Sequence, residues 1–116
     1  MPTIRTPQQI FQHHGEALGA EDLDAIVADY SDDAFFITPE GVLRGKAGIR
    51  EAFTKLISDV PKAKWNLKTQ IYEKDILLIE WEADSAKTKV VDGIDTFVFK
   101  DGYIRVQTAR YTLQKK

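Results

Sequence analysis

The hydrophobic pattern changes its period once along the chain, close to Pro61. Before this residue the apolar side chains recur at helical spacing, and after it they mostly alternate with polar side chains, as in half-buried strands. Helices followed by consecutive strands predict an α+β fold. The strands are expected to form a mostly antiparallel sheet, because only short turns separate them. This sheet must curl over the helices to cover their apolar faces.

Three helices are predicted before the change of period. The first begins at Pro7, after a capping box formed by Thr6 and Gln9, and ends near Gly19. The second is predicted in EDLDAIVADYSDDA and the third in RGKAGIREAFTKLISDV, with a short strand, AFFIT, and a turn, PEGV, between them. The expected apolar faces of the second and third helices are Leu23, Ile26, Val27 and Tyr30, and Ile49, Phe53, Leu56 and Ile57.

Four long strands are predicted over residues 64–73, 76–84, 89–99 and 103–113. Tight turns join them at Lys74-Asp75, near Ala86-Lys87 and at Asp101-Gly102, and the last dipeptide is a strong hairpin signal. Strand alternation predicts which side chains of the first two strands face the helices. They are Trp65, Leu67, Thr69 and Ile71, and Leu77, Ile79, Trp81 and Ala83.

Asp95 interrupts an otherwise apolar strand, VVDGIDTFVF. Burial would raise the pKa of this carboxyl above its usual value of about 3.9, because the charged form loses hydration. Asp95 is therefore a buried structural acid, a dimer-interface residue or part of a functional site. Alternation places it with Val91, Gly93, Phe97 and Phe99 on one face, opposite Val90, Ile94, Thr96 and Val98.

Length and charge limit the possible function classes. One domain over residues 1–116 is long enough to bury a core of its own. Sixteen basic residues against eighteen acidic ones give no positive excess for nucleic acid, so no nucleic-acid partner is expected. The absence of cysteine excludes disulfides. The stretch MPTIRTPQQIF has no apolar run typical of a signal or anchor, which predicts a cytoplasmic location and no membrane partner.

No metal or cofactor is expected from the motifs of the chain. His13 and His14 are adjacent and so diverge on a helix, and neither an HExxH motif nor a cysteine pair accompanies them. The acids of the second helix lack the spacing of a calcium loop. A GxSxG motif and a phosphate-binding loop are also absent.

Two stretches, AEDLDAIVADYSDDAFFITPEGVLRGKAGIREAF and GIDTFVFKDGYI, resemble the SnoaL-like and ketosteroid isomerase-like proteins of the nuclear transport factor two-like superfamily. With the order of the elements, the resemblance covers nearly the whole chain. It implies a cystatin-like cone, in which three N-terminal helices pack in a strongly curved sheet around a mostly apolar cavity. It also implies a homodimer formed through the outer face of the sheet. The resemblance is specific to the superfamily and not to one reaction.

The resemblance implies roles for three positions. Asp95 matches the aspartic acid that ketosteroid isomerases keep protonated to donate a hydrogen bond to a developing oxyanion. His14 lies where they carry the oxyanion-hole tyrosine, and Thr38 lies where they carry the catalytic base. A threonine hydroxyl cannot shuttle a proton as a carboxylate does. Glu40 lies two residues further on, but its position in the turn disfavours it as a replacement base. His14 and Asp95 are therefore the expected catalytic residues, coupled if they lie within hydrogen-bond reach.

Aromatic and polar side chains are expected to complete a ligand site. Each aromatic residue also fits a simple core role, and Gln107 contributes only if the last strand turns its odd residues inward. The expected ligand-binding residues are Tyr30, Thr38, Phe53, Trp65, Trp81, Phe97 and Gln107.

Two function classes fit these residues. One is an isomerase, lyase or cyclase type of enzyme that needs no cofactor and acts on a compact apolar carbonyl compound. There His14 would serve as acid or base and Asp95 as hydrogen-bond donor. The other is a non-catalytic module, which carries a ligand or associates through the outer sheet face, with Ile94, Thr96 and Val98. The missing carboxylate at Thr38 favours the ligand-carrying form of this second class over an enzyme.

Overall fold

The computed structural model describes residues 4–116, so the first three residues of the predicted domain lie outside the described residues. The helices are α1 (Pro7–Gly19), α2 (Leu23–Ala28) and α3 (Gly45–Asp59). The strands are β1 (Tyr30–Thr38), β2 (Gly41–Arg44), β3 (Lys64–Glu73), β4 (Ile76–Asp84), β5 (Thr88–Lys100), β6 (Tyr103–Arg110) and β7 (Gln114–Lys115). They form one curved sheet in the order β2-β1-β6-β5-β4-β3, with β7 paired to β5. Only β1 and β6 run parallel among these pairs, and the predicted α+β fold is confirmed.

The start of α1 follows the capping box that the sequence predicts. The backbone N–H of Gln9 donates to the Thr6 hydroxyl over 3.1 Å, and the Gln9 side chain accepts from the backbone N–H of Thr6 over 2.9 Å. These bonds satisfy two of the donors that a helix start leaves free. The helix buries Ile10, His14 and Ala17 on one face, which leaves His13 on the other side.

The second helix is shorter than its apolar pattern predicts. Asp22 caps its start by accepting from the backbone N–H of Ala25, and the helix ends at Ala28. Tyr30 then pairs with Ile104 of β6, and the Asp29 carbonyl accepts from the Ile104 N–H over 2.8 Å. The prediction that Tyr30 lies on a helix is wrong, because this non-local pairing extends β1 to Tyr30.

A β-bulge at Lys68 reverses part of β3. Leu67 pairs with Trp81, but Thr69 pairs with Glu80, so β3 has one extra residue against β4. Thr69 lies on the outer face as a result and donates its hydroxyl to the Glu80 carboxylate. Ile71 lies on the same outer face and is exposed. The predicted inward orientation of Thr69 and Ile71 is therefore wrong.

A second bulge occurs in β5. Trp81 of β4 pairs with Gly93, but Ala83 pairs with Val90, which leaves one extra residue in β5. The predicted faces of two neighbouring residues are consequently reversed, since Val90 is buried and Val91 is exposed. Beyond the bulge the prediction holds. The inward residues of β5 there are Gly93, Asp95, Phe97 and Phe99.

Two of the turns predicted between strands are present in the structure. Asp101 and Gly102 have φ values of 54° and 84°, which is the geometry of the predicted two-residue hairpin. The predicted turn at Pro39-Glu40 is also present, but the residues after it form β2, which the sequence pattern did not reveal. The last long strand ends at Arg110 and not at residue 113.

No helix within residues 4–116 is long and apolar enough to cross a bilayer.

Candidate functional site

A cavity of about 570 Å³ lies between the β1–β2 hairpin, α3 and the chain at the end of β6. Asp95 of β5 and Gln107 of β6 are buried members of its lining, whereas the residues of the hairpin are mostly exposed. The buried polar side chains of the cavity wall therefore lie on strands. The polar side chains at the open end of the cavity, its mouth, lie on the hairpin and α3. Apolar side chains line much of the cavity: Phe36, Leu43, Ala52, Phe53, Leu56, Trp81 and Ala109.

Asp95 accepts a hydrogen bond on each carboxylate oxygen. The Trp81 indole N–H donates to Oδ1 over 2.9 Å, and the Gln107 side-chain N–H donates to Oδ2 over 2.9 Å. The Gln107 carbonyl oxygen in turn accepts from the hydroxyl of Tyr30. Four side chains from four strands thus form one buried polar chain. No cationic side chain in the described part of the protein forms an ion pair with Asp95.

Gly93 makes the contact between Trp81 and Asp95 possible. It lies directly opposite Trp81 in the β4–β5 ladder, and Asp95 follows two residues later on the same face. A Cβ atom at Gly93 would collide with the Trp81 indole ring. The missing side chain lets the indole lie across β5 and reach the carboxylate. Glycine in a strand often marks such a close approach.

The surroundings of Asp95 adjust its acidity. Burial raises the pKa of its carboxyl from 3.8 to about 6, and the hydrogen bonds from Trp81 and Gln107 act in the opposite direction. At pH 7 the group is mostly ionised and accepts hydrogen bonds. A carboxylate with a pKa near neutrality is suited to take up and return a proton.

His14 is buried in an aromatic environment. Its ring centre lies between 5.4 and 6.1 Å from those of four neighbours, and its Nδ1 has no hydrogen-bond partner within the described part of the chain. Burial lowers the pKa of His14 to about 4, against a raising effect of the Asp29 charge, so the ring is neutral at pH 7. The four neighbours are Phe11, Tyr30, Phe53 and Phe97.

No hydrogen bond joins His14 to Asp95 among the residues described, so the direct pair considered from the sequence does not form. Trp81 and Gln107 are the side chains that reach the carboxylate, whereas the His14 ring packs among aromatic rings. The Tyr30 ring contacts His14 and its hydroxyl bonds to Gln107. His14 is therefore connected to the polar chain by packing alone.

The structure divides the residues predicted for the site into two groups. One group lines the cavity and the other packs behind its wall or at its side. Trp65 illustrates the second group, since it lies on β3 and packs against the Trp81 ring at 5.5 Å. The lining group contains Asp95, Thr38, Phe53, Trp81 and Gln107. The predicted residues outside the lining are His14, Tyr30, Trp65 and Phe97. Tyr30 and Phe97 belong to the hydrophobic core, and the buried His14 packs against them.

A second polar cluster, formed by Lys55, Asp59 and Tyr111, lies at the cavity mouth and was not predicted from the sequence. Tyr111 donates its hydroxyl to Asp59 Oδ2 over 2.8 Å, and the Lys55 ammonium lies 2.9 Å from the same oxygen. The ammonium is also 5.7 Å from the centre of the Tyr111 ring. Burial raises the pKa of the Tyr111 hydroxyl above its usual value, and the hydrogen bond to Asp59 raises the pKa further. The phenol is therefore neutral at pH 7. The spacing of Lys55 and Asp59 is a visible helical signal, but Tyr111 joins them from an irregular segment.

Asp29 forms a further polar cluster away from the cavity. Its carboxylate is buried and lies 2.7 Å from the Arg5 guanidinium and 2.7 Å from His13 Nδ1. Arg5 also donates to the Gly102 carbonyl over 3.0 Å. The cluster fastens the segment before α1 to the end of α2 and the β5–β6 turn. Within residues 4–116 no group of three or more His, Asp or Glu side chains could hold a metal ion.

The model of the SnoaL-like domain family matches residues 11–107. The chain belongs to this family. The match confirms the resemblance stated from the sequence and spans the elements from α1 to β6. No protein with a curated description matches this SnoaL-like domain significantly.

Solved structures share the fold of this SnoaL-like domain. An NTF2-like protein of unknown function from Cytophaga hutchinsonii is 15% identical, with a TM-score of 0.77 over 97% of this chain and 95% of that one. A cystatin-like fold protein of unknown function from Methylobium petroleophilum is 17% identical, with a TM-score of 0.74 over 98% and 88%. SalBIII, an epoxide hydrolase/cyclase-like enzyme of pyran ring formation in salinomycin, is 16% identical, with a TM-score of 0.78 over 95% of both chains. The likeness shows a shared cystatin-like, NTF2-like fold.

Proposed function

We propose that this SnoaL-like domain binds a compact, mostly apolar carbonyl compound and catalyses an isomerase, lyase or cyclase type of reaction without a cofactor. The observation that carries this proposal is Asp95, a buried carboxylate at the wall of an apolar cavity, with a pKa raised by burial to about 6. Such a group combines access to a ligand with proton affinity near neutral pH.

Asp95 acts as the general base in this proposal. Its carboxylate removes a proton from the carbon next to the carbonyl group, and the electron pair of that C–H bond moves to the carbonyl oxygen as an enolate. Asp95 then returns the proton to another carbon, which completes an isomerisation. The N–H groups of Trp81 and Gln107 hold the carboxylate in place during both steps. Total charge is conserved, since the negative charge moves from the carboxylate to the ligand and back.

The mouth of the cavity supplies donors for the enolate oxygen. Tyr111 is a neutral phenol that lines the cavity, and its ring lies 5.5 Å from that of Trp81. Thr38 also lines the cavity, and its hydroxyl oxygen accepts from the Glu40 N–H over 3.1 Å, which leaves the hydroxyl proton free to donate. We assign the donor role to the Thr38 hydroxyl, because the Tyr111 hydroxyl already donates to Asp59 and a positioned donor near the developing charge lowers the barrier.

Fold relatives support the reaction class. SalBIII is described as an epoxide hydrolase/cyclase-like enzyme and has the same fold. Its chemistry is carried over here only as part of the proposal, because one fold hosts many reactions. In this assignment the neutral His14 packs behind the wall and takes no proton. Asp95 is the base, which differs from the sequence expectation of His14 as acid or base and Asp95 as hydrogen-bond donor.

The test uses a β,γ-unsaturated cyclohexenone, whose isomerisation gives a conjugated enone with a strong ultraviolet absorbance. We expect the unmodified protein to accelerate the reaction and Asp95→Asn to lower the rate by roughly a hundredfold or more. Glu16→Gln, which removes an exposed acid from α1, is the matched control and should retain the rate. A ligand that binds in the cavity and is returned unchanged would instead establish a non-catalytic binding module.

The outer face of the sheet supports a second proposal, a homodimer. Ile71, Ile76 and Ile94 are 58%, 44% and 38% exposed, and Thr96 and Val98 extend the same surface. Exposed apolar side chains in a contiguous patch commonly mark an association surface. A second copy of the chain would cover them through the same patch on both partners.

A further inference from the structure

Among residues 4–116, the Asp95 carboxylate has neutral hydrogen-bond donors but no counter-ion. It is only 8% exposed, and its two bonded partners, Trp81 and Gln107, carry no net charge. Buried charges in proteins are normally paired with an opposite charge. When Asp95 is ionised, the cavity therefore contains a negative charge that a ligand can complement.

The other charges of the lining do not reverse this sign. Among the residues that the structure describes, four carboxylates and two cationic side chains line the cavity, and one of the cations, Lys55, already lies against Asp59. Glu40, Glu51 and Arg110 are all exposed to water, where salt and solvent screen their fields, so the buried Asp95 is the charge that a ligand meets inside the cavity. The carboxylates are those of Glu40, Glu51, Asp59 and Asp95.

Aromatic rings give the cavity a second feature that favours cations. Ring faces carry a negative quadrupole and attract ammonium groups within about 6 Å. Lys55 and Tyr111 already show this contact within the chain. The aromatic residues of the lining are Phe36, Phe53, Trp81 and Tyr111.

We propose that the cavity selects a ligand whose apolar body carries a protonated amine, and that it rejects the corresponding carboxylate. This inference rests on the proposed function, in which the cavity at Asp95 is the ligand site. The ammonium would lie close to the Asp95 carboxylate and be surrounded by aromatic ring faces. If the ammonium is attached to the carbon beside the carbonyl group, its positive charge also makes the C–H bond of that carbon more acidic. A more acidic C–H bond suits a carboxylate base.

Three naphthalene probes with one ring system and different charges test this selection. They are naphthylmethylamine, methyl naphthyl ketone and naphthoate, and the amine and the carboxylate stay charged between about pH 5 and 8. Calorimetry gives the affinities, and the indole N–H resonance of Trp81 reports binding in the cavity. At pH about 7.5 we expect the amine to bind roughly a hundredfold more tightly than naphthoate, with the ketone between them.

The outcomes separate this inference from the proposed function. If the ketone shifts the Trp81 resonance and naphthoate binds as tightly as the amine, the charge selection is wrong and the ligand site stands. If no probe shifts that resonance, both proposals fail. If the amine binds selectively and the cyclohexenone is not isomerised, the charge selection stands without the catalytic role.

Two further measurements assign the selection to Asp95. Asp95→Asn should bring the amine and ketone affinities within roughly threefold of each other, whereas Glu16→Gln should leave their ratio unchanged. In the unmodified protein, lowering the pH to about 5 protonates Asp95, whose pKa is about 6, and should remove most of the preference. The other charged or titratable groups of the lining are Glu40 on the hairpin, Glu51, Lys55 and Asp59 on α3, and Arg110 and Tyr111 at the end of β6. A preference that persists in both experiments would overturn the assignment.

Discussion

The indole N–H of Trp81 donates a 2.9 Å hydrogen bond to Oδ1 of Asp95 across neighbouring strands. The indole reaches the carboxylate by lying over Gly93, where a side chain would collide with it. Trp81 therefore has two roles: its ring forms part of the cavity wall, and its N–H group holds the Asp95 carboxylate when no ligand is bound. A substitution at Trp81, Gly93 or Asp95 should therefore change the packing or hydrogen bonding of the other two residues.

Gly93→Ala should displace the Trp81 indole and break its bond to Asp95. We expect a loss of unfolding free energy of about 1–3 kcal/mol, as for overpacking in other cores, and a changed near-ultraviolet circular dichroism of the indole. Gly15→Ala is the matched control, because Gly15 is exposed on α1 and a Cβ there meets nothing within 4 Å. It should stabilise the protein by about 0.5–1 kcal/mol. An unchanged indole signal in Gly93→Ala would contradict the predicted displacement.

Asp95 and His14 should affect stability in opposite directions as the pH changes. Asp95 has a pKa of about 6 when folded and near 3.8 when unfolded, so its contribution is fully present below about pH 4 and lost as the pH rises to 6. His14 has a pKa of about 4 when folded and near 6.5 when unfolded, so its contribution is present above pH 6.5 and lost as the pH falls to 4. Each effect amounts to about 3 kcal/mol.

Single variants should uncover the two effects. In His14→Leu, the difference in unfolding free energy from the unmodified protein should shrink or change sign as the pH falls from 6.5 to 4. In Asp95→Asn, the corresponding difference should move in the opposite direction over the same range. Urea denaturation at several pH values measures both. Parallel pH profiles for the three proteins would show that neither group titrates abnormally.

Gln107→Leu should cost more stability than the loss of one hydrogen bond. Gln107 satisfies both the Tyr30 hydroxyl and the Asp95 carboxylate, and a leucine would leave both groups buried without that partner. We expect a loss of about 2–5 kcal/mol in chemical denaturation. Tyr30→Phe removes only one of these groups and should cost about 1 kcal/mol. Equal losses in the two variants would show that Gln107 does not bridge the two residues energetically.

Ile94→Lys should prevent association through the outer face of the sheet. A charge at the centre of an apolar interface loses hydration without a partner, so the dimer should dissociate while the fold is retained. Sedimentation velocity measures the mass, and Ile4→Lys, at an exposed apolar residue outside the sheet, is the control. A monomeric unmodified protein at high concentration would rule out the interface, whatever the variants do.

The elements of the fold could be predicted because their signals are local. The capping box at Thr6 and the hairpin residues Asp101 and Gly102 act through bonds and backbone angles that a short stretch of chain determines. The α2 boundary could not be predicted in this way. Helical spacing continues through Tyr30, and only the non-local pairing with Ile104 makes it a strand residue.

The bulges limited prediction of the inward side chains. The extra residue at Lys68 and the one near Val91 are accommodated by neighbouring strands, so simple alternation assigned Thr69, Ile71 and Val91 to the wrong face. Asp95 lies beyond the second bulge on the same stretch as Phe97, and its inward position followed from alternation.

Tertiary contacts limited prediction of the site. His14 and Asp95 were expected near each other, but the donors that reach the carboxylate, Trp81 and Gln107, come from separate strands. The mouth cluster depends on Tyr111 folding back from an irregular segment to the end of α3. Neither arrangement has a local pattern that would reveal it.

The titration of Asp95 is the decisive measurement, because both its role as a base and the charge selection of the cavity depend on the acidity of this carboxyl group. The carboxyl carbon resonance of Asp95 and the indole N–H resonance of Trp81 can be followed together by NMR. We predict one shared midpoint near pH 6, with the indole shifting as the carboxyl group loses its proton. A midpoint near 3.8 without a response of the Trp81 indole would contradict the buried acid, and with it the proposed site.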